Sequence, residues 1–312
     1  MNRDSKRQLA VVFATNIALE ITFVSGTVAG PAFQRAFSLS DTQLGLVLGA
    51  IHIGLIGVAL FIGRYTHRFG PPRVLSVGLL AAVGSSVLII AAGGFPSLFL
   101  GLAALGIAAA FITNANATFV SEVAGSSVRR VMALASGLWF ASSAVSAPAI
   151  GAWLNYGRNA GLGAWSHRGV YFLDIALALV CFALVRKALV PRYTPPARTE
   201  DTGDTDYRQP LNPEWPWVPI LGFLHGLFVI ILLAWTNPML QAKFGATDAQ
   251  GGLGVGLVSL GIGAGRFLLA SLRVNVDDRV LLAGSGLGGA LLLVVAFLLP
   301  SLPLTYIALA VS

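Results

Sequence analysis

The chain has 312 residues, of which 56% are hydrophobic and only 11% are Asp, Glu, Lys or Arg. Ordinary soluble proteins carry about 25% charged residues, so this composition excludes a water-soluble globule. The net charge of +7 does not indicate a nucleic-acid partner, because the basic residues flank apolar segments instead of forming one patch. We therefore predict an all-α integral membrane protein.

Apolar segments long enough to cross a bilayer, which takes about 17 to 25 helical residues, follow one another along the whole chain. The first contains Asn16 and Glu20 and is too long and too polar for a cleaved signal peptide. The segments are 9–32, 44–62, 73–92, 97–120, 131–154, 169–189, 217–239, 251–272 and 280–299, and a tenth begins near Pro303.

The basic residues lie mainly on one side of these segments. Of the 20 Lys and Arg residues, only Arg35, Arg158, Arg168 and Lys243 fall on the other side, and Arg266 falls within a span. Cytoplasmic loops carry an excess of Lys and Arg. The asymmetry predicts a multi-pass protein of the cell membrane, of the bacterial inner-membrane type, with a cytoplasmic N terminus and the lipid bilayer as its surroundings.

Residues 31–54 match residues 238–261 at nine of 24 positions, with a constant shift of 207. Six spans separate the two copies, an even number, so both copies cross the membrane in the same sense. This predicts a parallel repeat of six-helix halves, an arrangement typical of carriers. The identical pairs are Pro31/Pro238, Gln34/Gln241, Phe37/Phe244, Asp41/Asp248, Gln43/Gln250, Gly45/Gly252, Leu46/Leu253, Gly49/Gly256 and Gly54/Gly261.

The repeat and one polar stretch divide the chain into three parts. Residues 1–190 form an N-terminal six-helix half, 191–216 a linker, and 217–312 an incomplete C-terminal half. The linker contains six prolines and five acidic residues and has no apolar run to bury, which predicts a solvated segment on the inner face.

The loop between the second and third spans resembles a motif of the major facilitator superfamily of secondary transporters. In that family a glycine, an acidic residue followed by arginine, and a second glycine precede basic residues. Gly63, Arg68, Gly70 and Arg73 match the pattern, whereas His67 stands where the family usually has aspartate. Anchoring at the inner face would by itself account for the arginines.

The fifth span carries a second, weaker resemblance, to the family's glycine and proline motif, in Ser143, Ala147, Pro148 and Gly151. The resemblance implies a fold of two six-helix halves with twelve helices in all. Because about ten are present here, we expect the chain to be a fragment that does not transport alone. The glycine-rich strings of the later spans predict close helix packing, since dinucleotide loops require a preceding strand.

Polar side chains inside the spans are expensive and therefore mark candidate functional groups. At about 1.5 Å of rise per residue, Glu20 and His52 lie at a similar depth, about 16 and 15 Å from the inner ends of their helices. A further polar layer lies about 9 to 12 Å deep by the same measure. It comprises Asn16, Asn114, Trp139, His225 and Arg266. The resemblance implies that their helices line a central cavity.

Glu20 is the expected proton-coupling residue, and His52, which lies at the same depth, is expected to take part in the coupling. Desolvation favours the neutral form of a carboxyl group, so such a group binds a proton near neutral pH. The alternative is a structural carboxylate permanently paired with His52 or Arg266.

The remaining polar groups have two interpretations each. Asn16 and Asn114 either bind substrate or bridge helices, and Trp139 is either a substrate platform or a packing residue. The histidines, His52 and His225, are either functional or hydrogen-bonded within the core.

Together these features predict a secondary active transporter that moves a small organic solute by alternating access, coupled to protons. The alternative is a non-transporting receptor or scaffold with the same fold. No metal pair or hydrolase motif occurs within the spans, so we expect neither an enzyme nor a cofactor or bound metal. The expected partners are a small-molecule substrate, the proton and the bilayer, and the expected state is a monomer.

Overall fold

The computed structural model describes residues 3–193, 217–271 and 278–311, and within these ranges the regular structure is helical. Seven of the described helices are long and apolar enough to cross a membrane, which confirms the multi-pass prediction. The α-helices are α1 (Arg3–Val28), α2 (Gly30–Phe37), α3 (Asp41–Phe69), α4 (Pro71–Ile90), α5 (Phe95–Ala124), α6 (Val128–Asn159), α7 (Trp165–Ala188), α8 (Trp217–Phe244), α9 (Asp248–Ser271), α10 (Asp278–Leu298) and α11 (Leu302–Val311).

The first helix begins and ends earlier than the apolar run 9–32 predicted. The helix α1 ends at Val28, and α2 begins at Gly30 with Pro31 in its first turn. Proline fits the first turn of a helix because its missing N–H has no partner there. Ser38 then ends α2 in the left-handed region, at φ 50°.

Two close helix contacts hold the N-terminal half together. A Cβ atom at Gly106 on α5 would lie 1.7 Å from the carbonyl oxygen of Ile51, and one at Gly54 on α3 would lie 1.9 Å from that of Ala103. Glycine at both positions lets the backbones of α3 and α5 touch, as small residues do between membrane helices. Outward from this contact, large apolar side chains such as Phe61 are exposed, as a lipid-facing surface requires.

The repeat found in the sequence reappears as duplicated geometry. At the start of α3, the Ser40 N–H donates to Gln43 and the Gln43 N–H donates to the Ser40 hydroxyl, at 3.0 and 3.2 Å. At the start of α9, Thr247 and Gln250 make the same two bonds at 2.8 and 3.2 Å. These reciprocal caps satisfy backbone N–H groups that the helix leaves free. Both pairs are separated by the shift of 207, so the two helices begin in the same way.

A side-chain hydrogen bond is duplicated as well. Gln34 donates to Asp41 at 2.7 Å, and Gln241 donates to Asp248 at 2.8 Å. Asp41 is exposed, whereas Asp248 is fully buried. The hydrogen bond between glutamine and aspartate is therefore present in both copies, but only in the second copy is the aspartate buried.

The two halves meet chiefly where α6 packs against α9. A Cβ atom at Gly151 would lie 2.5 Å from the Asp248 carbonyl oxygen, and one at Gly252 would lie 2.5 Å from that of Ala147. Farther along, Gly256 lies against Pro148. The residues of the weaker resemblance in the fifth span thus form the contact between the halves.

We call the two ends of the molecule the amino-terminal end and the opposite end. The amino-terminal end holds the start of α1 and the loops at Gly70 and Gly125, and the opposite end holds α2 and the loops near Gly161 and Gly245.

Candidate substrate cavity and buried carboxyl groups

A cavity of about 370 Å³ lies between the two halves, on the amino-terminal side of the closest contacts between α6 and α9. Its wall is largely apolar and aromatic, with a few amide and hydroxyl groups and one guanidinium group. This composition is typical of small-molecule sites. The lining residues are Asn16, Thr113, Asn116, Ala117, Val120, Met132, Ala135, Ser136, Trp139, Phe140, Val229 and Arg266.

Three of the residues predicted for the cavity line it together, namely Asn16, Trp139 and Arg266. The Arg266 guanidinium lies over the ring of Phe140, 5.2 Å from its centre. The negative face of an aromatic ring attracts a cation, so it partly stabilises the charge of the guanidinium group in the absence of an acidic partner. The two aromatic rings and the guanidinium group therefore form one side of the cavity.

Asn116, which the sequence analysis did not select, takes the place expected for Asn114. Its side-chain N–H donates to the Asn16 oxygen at 2.6 Å, and its own oxygen accepts from Thr15 at 3.1 Å. Asn114 instead accepts a hydrogen bond from Thr66 on α3 at 2.8 Å and is not among the lining residues. The structure thus uses Asn114 to join α5 to α3.

Glu20 is 3% exposed and lies one turn of α1 beyond Asn16, outside the cavity wall. Its carboxyl group interacts with the hydroxyl of Ser143 on α6. That hydroxyl lies 2.8 Å from the hydroxyl of Ser259 on α9. The carboxyl group therefore lies where the two halves touch.

His52 reaches the same region through aromatic contacts. Its ring packs edge-on against Phe23, with 6.1 Å between ring centres, and Phe23 contacts Trp139 at the same distance. The Nδ1 atom of His52 is buried without a hydrogen-bond partner. In the part of the chain that the structure describes, no ion pair joins Glu20 to His52 or to Arg266. The side chain of His225 lies outside the described residues.

The loop that resembles the family motif lies at the amino-terminal end. Gly70 has φ +81°, and a Cβ atom there would lie 2.7 Å from the ring of Tyr193, so both conformation and space require glycine. The Tyr193 hydroxyl donates to Glu122 at 3.4 Å. Burial, and then the Glu122 carboxylate, raise the pKa of Tyr193 to about 12. His67 interacts electrostatically with the same carboxyl group.

The other residues of the loop make few contacts. The Arg68 guanidinium lies over Phe69 at 5.4 Å, Arg73 is exposed, and a Cβ atom at Gly63 would meet open space. The predicted linker lies mostly in residues 194–216, outside the described residues.

A polar network that could not be predicted from the sequence pattern closes the opposite end. Arg35, which is 43% exposed, donates twice to the fully buried Asp248, at 2.8 Å each. Arg158 lies 3.7 Å from the same carboxylate, and Gln241 donates to it. Asn237 also crosses between the halves, donating to the Val28 carbonyl oxygen at 2.7 Å. Asp248 in the repeat was the available signal, but both of its arginine partners, Arg35 and Arg158, belong to the other half.

A third buried carboxyl group, Asp174 on α7, could also have been found from the sequence. It is 1% exposed, and Ser25 on α1 lies 3.3 Å from its Oδ1 atom. The available signal was an acidic residue inside the sixth apolar segment, by the same reasoning that selected Glu20.

Comparisons with known proteins agree with this architecture. The profile of the Major Facilitator Superfamily matches residues 11–312. Two crystal structures of a bacterial homologue of the human lysosomal transporter Spinster, both inward-facing, share the fold. The occupied form gives a TM-score of 0.69 at 18% identity and the unoccupied form 0.70 at 17%, each over 100% of this chain and 72% of that one.

Two curated relatives match parts of the chain. The puromycin resistance protein pur8 of Streptomyces alboniger is 30% identical over 115 residues, which is 37% of this chain and 23% of that protein. Multidrug resistance protein 2 of Bacillus subtilis is 27% identical over 151 residues, 48% of this chain and 36% of that protein. The matches thus span about a quarter to a third of the relatives' own lengths.

The apolar helices and the cavity between the halves define a multi-pass membrane protein built from two helical halves. Since the family profile covers nearly the whole chain, this protein belongs to the Major Facilitator Superfamily.

Proposed function

We propose that the protein is a proton-coupled secondary transporter that moves amphipathic organic solutes by alternating access. The observation that carries this proposal is the cavity between the halves, which stops at the packed contact of α6 with α9. With the cytoplasmic N terminus that the basic residues predict, the cavity lies on the cytoplasmic side. The described conformation is then the inward-facing one.

The chemistry of the wall supports an amphipathic substrate. Trp139 and Phe140 offer aromatic faces, and Asn16 and Asn116 offer amide groups close by. Aromatic surface favours the apolar part of a ligand, and a few placed polar groups fix its orientation. The names of the two relatives, which refer to puromycin and multidrug resistance, support the same class of solute. Puromycin is therefore the first compound to test.

The position of Glu20 supports proton coupling. Its carboxyl group lies at the hydroxyl pair that joins α6 to α9, Ser143 and Ser259. A neutral carboxyl group can remain in a dry contact, whereas an ionised one requires water or a cation. Protonation of Glu20 would thus favour close packing of the halves, and proton release would favour their separation.

Uptake into proteoliposomes tests the function. The full-length protein is reconstituted, and labelled puromycin is followed with and without an imposed pH gradient. The proposal expects accumulation that collapses when a protonophore removes the gradient. Saturable binding of puromycin without accumulation would instead support the receptor alternative, and accumulation that ignores the gradient would refute proton coupling.

A further inference from the structure

Three side chains on one face of α7 each bury a polar atom that lacks a hydrogen-bond partner. The atoms are His167 Nε2, Tyr171 Oη and Asp174 Oδ2. Their spacing of four and three residues places them one above another on the helix. His167 is near the start of α7, at the opposite end of the molecule, and Asp174 is the deepest of the three. Buried polar groups without partners are rare and need an explanation.

The surroundings of Asp174 favour a carboxyl group that carries a proton. The Ser25 hydroxyl has one hydrogen and two acceptors, the Ile21 carbonyl oxygen at 2.7 Å and Asp174 Oδ1 at 3.3 Å. The shorter bond uses the hydrogen. The serine oxygen is then free to accept a hydrogen bond from the Oδ1 atom of a neutral carboxyl group.

No described cation compensates an ionised Asp174. On α7, Arg168 lies near the start of the helix, over the Trp165 ring and against the Ala92 carbonyl oxygen. The helices α2 and α6 bring Arg35 and Arg158, both of which contact Asp248.

The other elements packed against α7 bring no nearby positive charge either. From α1 the nearest titratable group is Glu20, five residues before Ser25, and α4 carries only Arg73 at its far end. The turn Val190–Arg192 lies beyond the other end of α7 and leads to Tyr193. A buried carboxylate with no cation is costly.

The remaining two residues lie between this carboxyl group and the opposite end. The Tyr171 hydroxyl lies close to α1, 3.7 Å from where a Cβ atom of Gly26 would stand, next to Ser25. The His167 ring packs between Phe33 and Phe37 of α2. Both side chains are almost fully buried, so they separate Asp174 from the water at that end.

We propose that Asp174, with Ser25, is a second proton-binding site, and that Tyr171 and His167 form its path to the opposite end of the molecule. None of the three atoms bonds to another in the described structure, so transfer requires the side chains to rotate into hydrogen-bonding contact. A proton from water then binds His167, the Tyr171 hydroxyl passes its own proton on while accepting another, and the Asp174 carboxylate becomes the neutral acid. The reverse order releases the proton. The site lies within the N-terminal half and does not include the cavity or Glu20, so it does not depend on the proposed transport function.

Infrared spectroscopy of the purified protein in lipid bilayers tests the site without any substrate. A neutral carboxylic acid has a carbonyl-stretching band that a carboxylate lacks. We expect this band at neutral pH in the parent protein, with its Asp174 component lost in Asp174→Asn and retained in both Glu20→Gln and the exposed control Asp41→Asn. A band unchanged in Asp174→Asn would overturn the proposal.

Two further variants keep the test decisive if Asp174→Asn does not fold. Ser25→Ala removes the acceptor, so the Asp174 band should shift to the frequency of a free acid. Tyr171→Phe should leave the band in place and slow its deuterium exchange at least tenfold. A band that neither shifts in Ser25→Ala nor exchanges more slowly in Tyr171→Phe would overturn both the site and its path.

Discussion

The two ends of the molecule join the halves in very different ways. At the opposite end, Arg35, Asn237 and Asp248 make polar contacts across the interface, and glycines of α6 and α9 bring the backbones together. On the amino-terminal side, the halves are separated by a cavity of about 370 Å³. In a carrier that opens to each side in turn, such an asymmetry identifies which side is closed. Changes at the two ends should therefore affect different properties.

The largest effect is expected at the backbone contact. In Gly151→Ala the new methyl group would lie 2.5 Å from the Asp248 carbonyl oxygen, and a backbone atom cannot move aside as a side chain can. We expect the closed contact to lose about 3 kcal/mol. Gly57→Ala, where a Cβ atom meets open space, is the matched control and should cause no loss.

Distances between spin labels at the opposite end measure this change. Labels attached at the exposed positions Tyr156 on α6 and Ala242 on α8, with Cys181 replaced by serine, report the separation of the halves. Gly151→Ala should shift the distribution to longer distances. An unchanged distribution would show that this contact does not hold the end closed.

The next effect concerns the ion pair. Arg35→Ala removes two of the three hydrogen bonds of 2.8 Å that the fully buried Asp248 carboxylate accepts, leaving the one from Gln241. Breaking a buried pair costs about 3 to 5 kcal/mol, and the partial exposure of Arg35 lowers this to about 2 kcal/mol. Arg158→Ala, at 3.7 Å, should cost less than about 1 kcal/mol. Equal effects of the two variants in the same spin-label experiment would contradict the geometry.

A change in the cavity should alter binding and leave closure intact. Trp139→Ala removes an aromatic face from the wall and should weaken puromycin binding about tenfold, or about 1.4 kcal/mol. Trp165→Ala is the control, because Trp165 is 58% exposed and packs on Phe172 away from the cavity. Titration calorimetry would measure both, and the same affinity in the two variants would exclude Trp139 from the site.

The smallest effect is expected at Tyr193. Tyr193→Phe removes its hydrogen bond to Glu122 and should lower stability by about 0.5 kcal/mol. Because the pKa of Tyr193 is raised to about 12 from about 10 in an unfolded chain, this difference should be constant below about pH 10 and disappear as the pH rises towards 12. Thermal unfolding at several pH values would show it, and a difference that grows above pH 10 would contradict it. The exposed Tyr65, changed to Phe, is the control.

The sequence was sufficient to predict the fold for a physical reason. Spans of apolar residues can only be helices in a bilayer, since every backbone polar group must be satisfied internally. The repeat was also readable, because identities such as Gln34/Gln241 preserve a local hydrogen bond that both copies make. Local interactions of this kind are encoded within a few residues.

The direction in which a polar side chain points from its helix could not be predicted from the sequence. Asn114 and Asn116 lie at nearly the same depth, but two residues rotate a helix by about 200°. One amide therefore meets Thr66 on α3, and the other meets Asn16 at the cavity. Depth can be counted from the sequence, whereas the direction of a side chain follows from how the helices pack.

The contacts between distant segments could not be predicted at all. Arg35 and Asp248 are 213 residues apart, and no sequence pattern near either residue indicates that the two form a pair. The acidic residue Asp174 can be read from the sequence, but its contact with Ser25, 149 residues away, cannot. Both features depend on helix packing and become visible only in three dimensions.

The central claim is that Glu20 couples proton binding to the movement of the halves. The most direct measurement compares Glu20→Gln with the exposed control Asp41→Asn in proteoliposomes, following puromycin exchange without a gradient and accumulation with an imposed pH gradient. We predict that Glu20→Gln retains exchange and loses its response to the gradient, while Asp41→Asn behaves like the parent protein. A full response to the gradient in Glu20→Gln would contradict the claim.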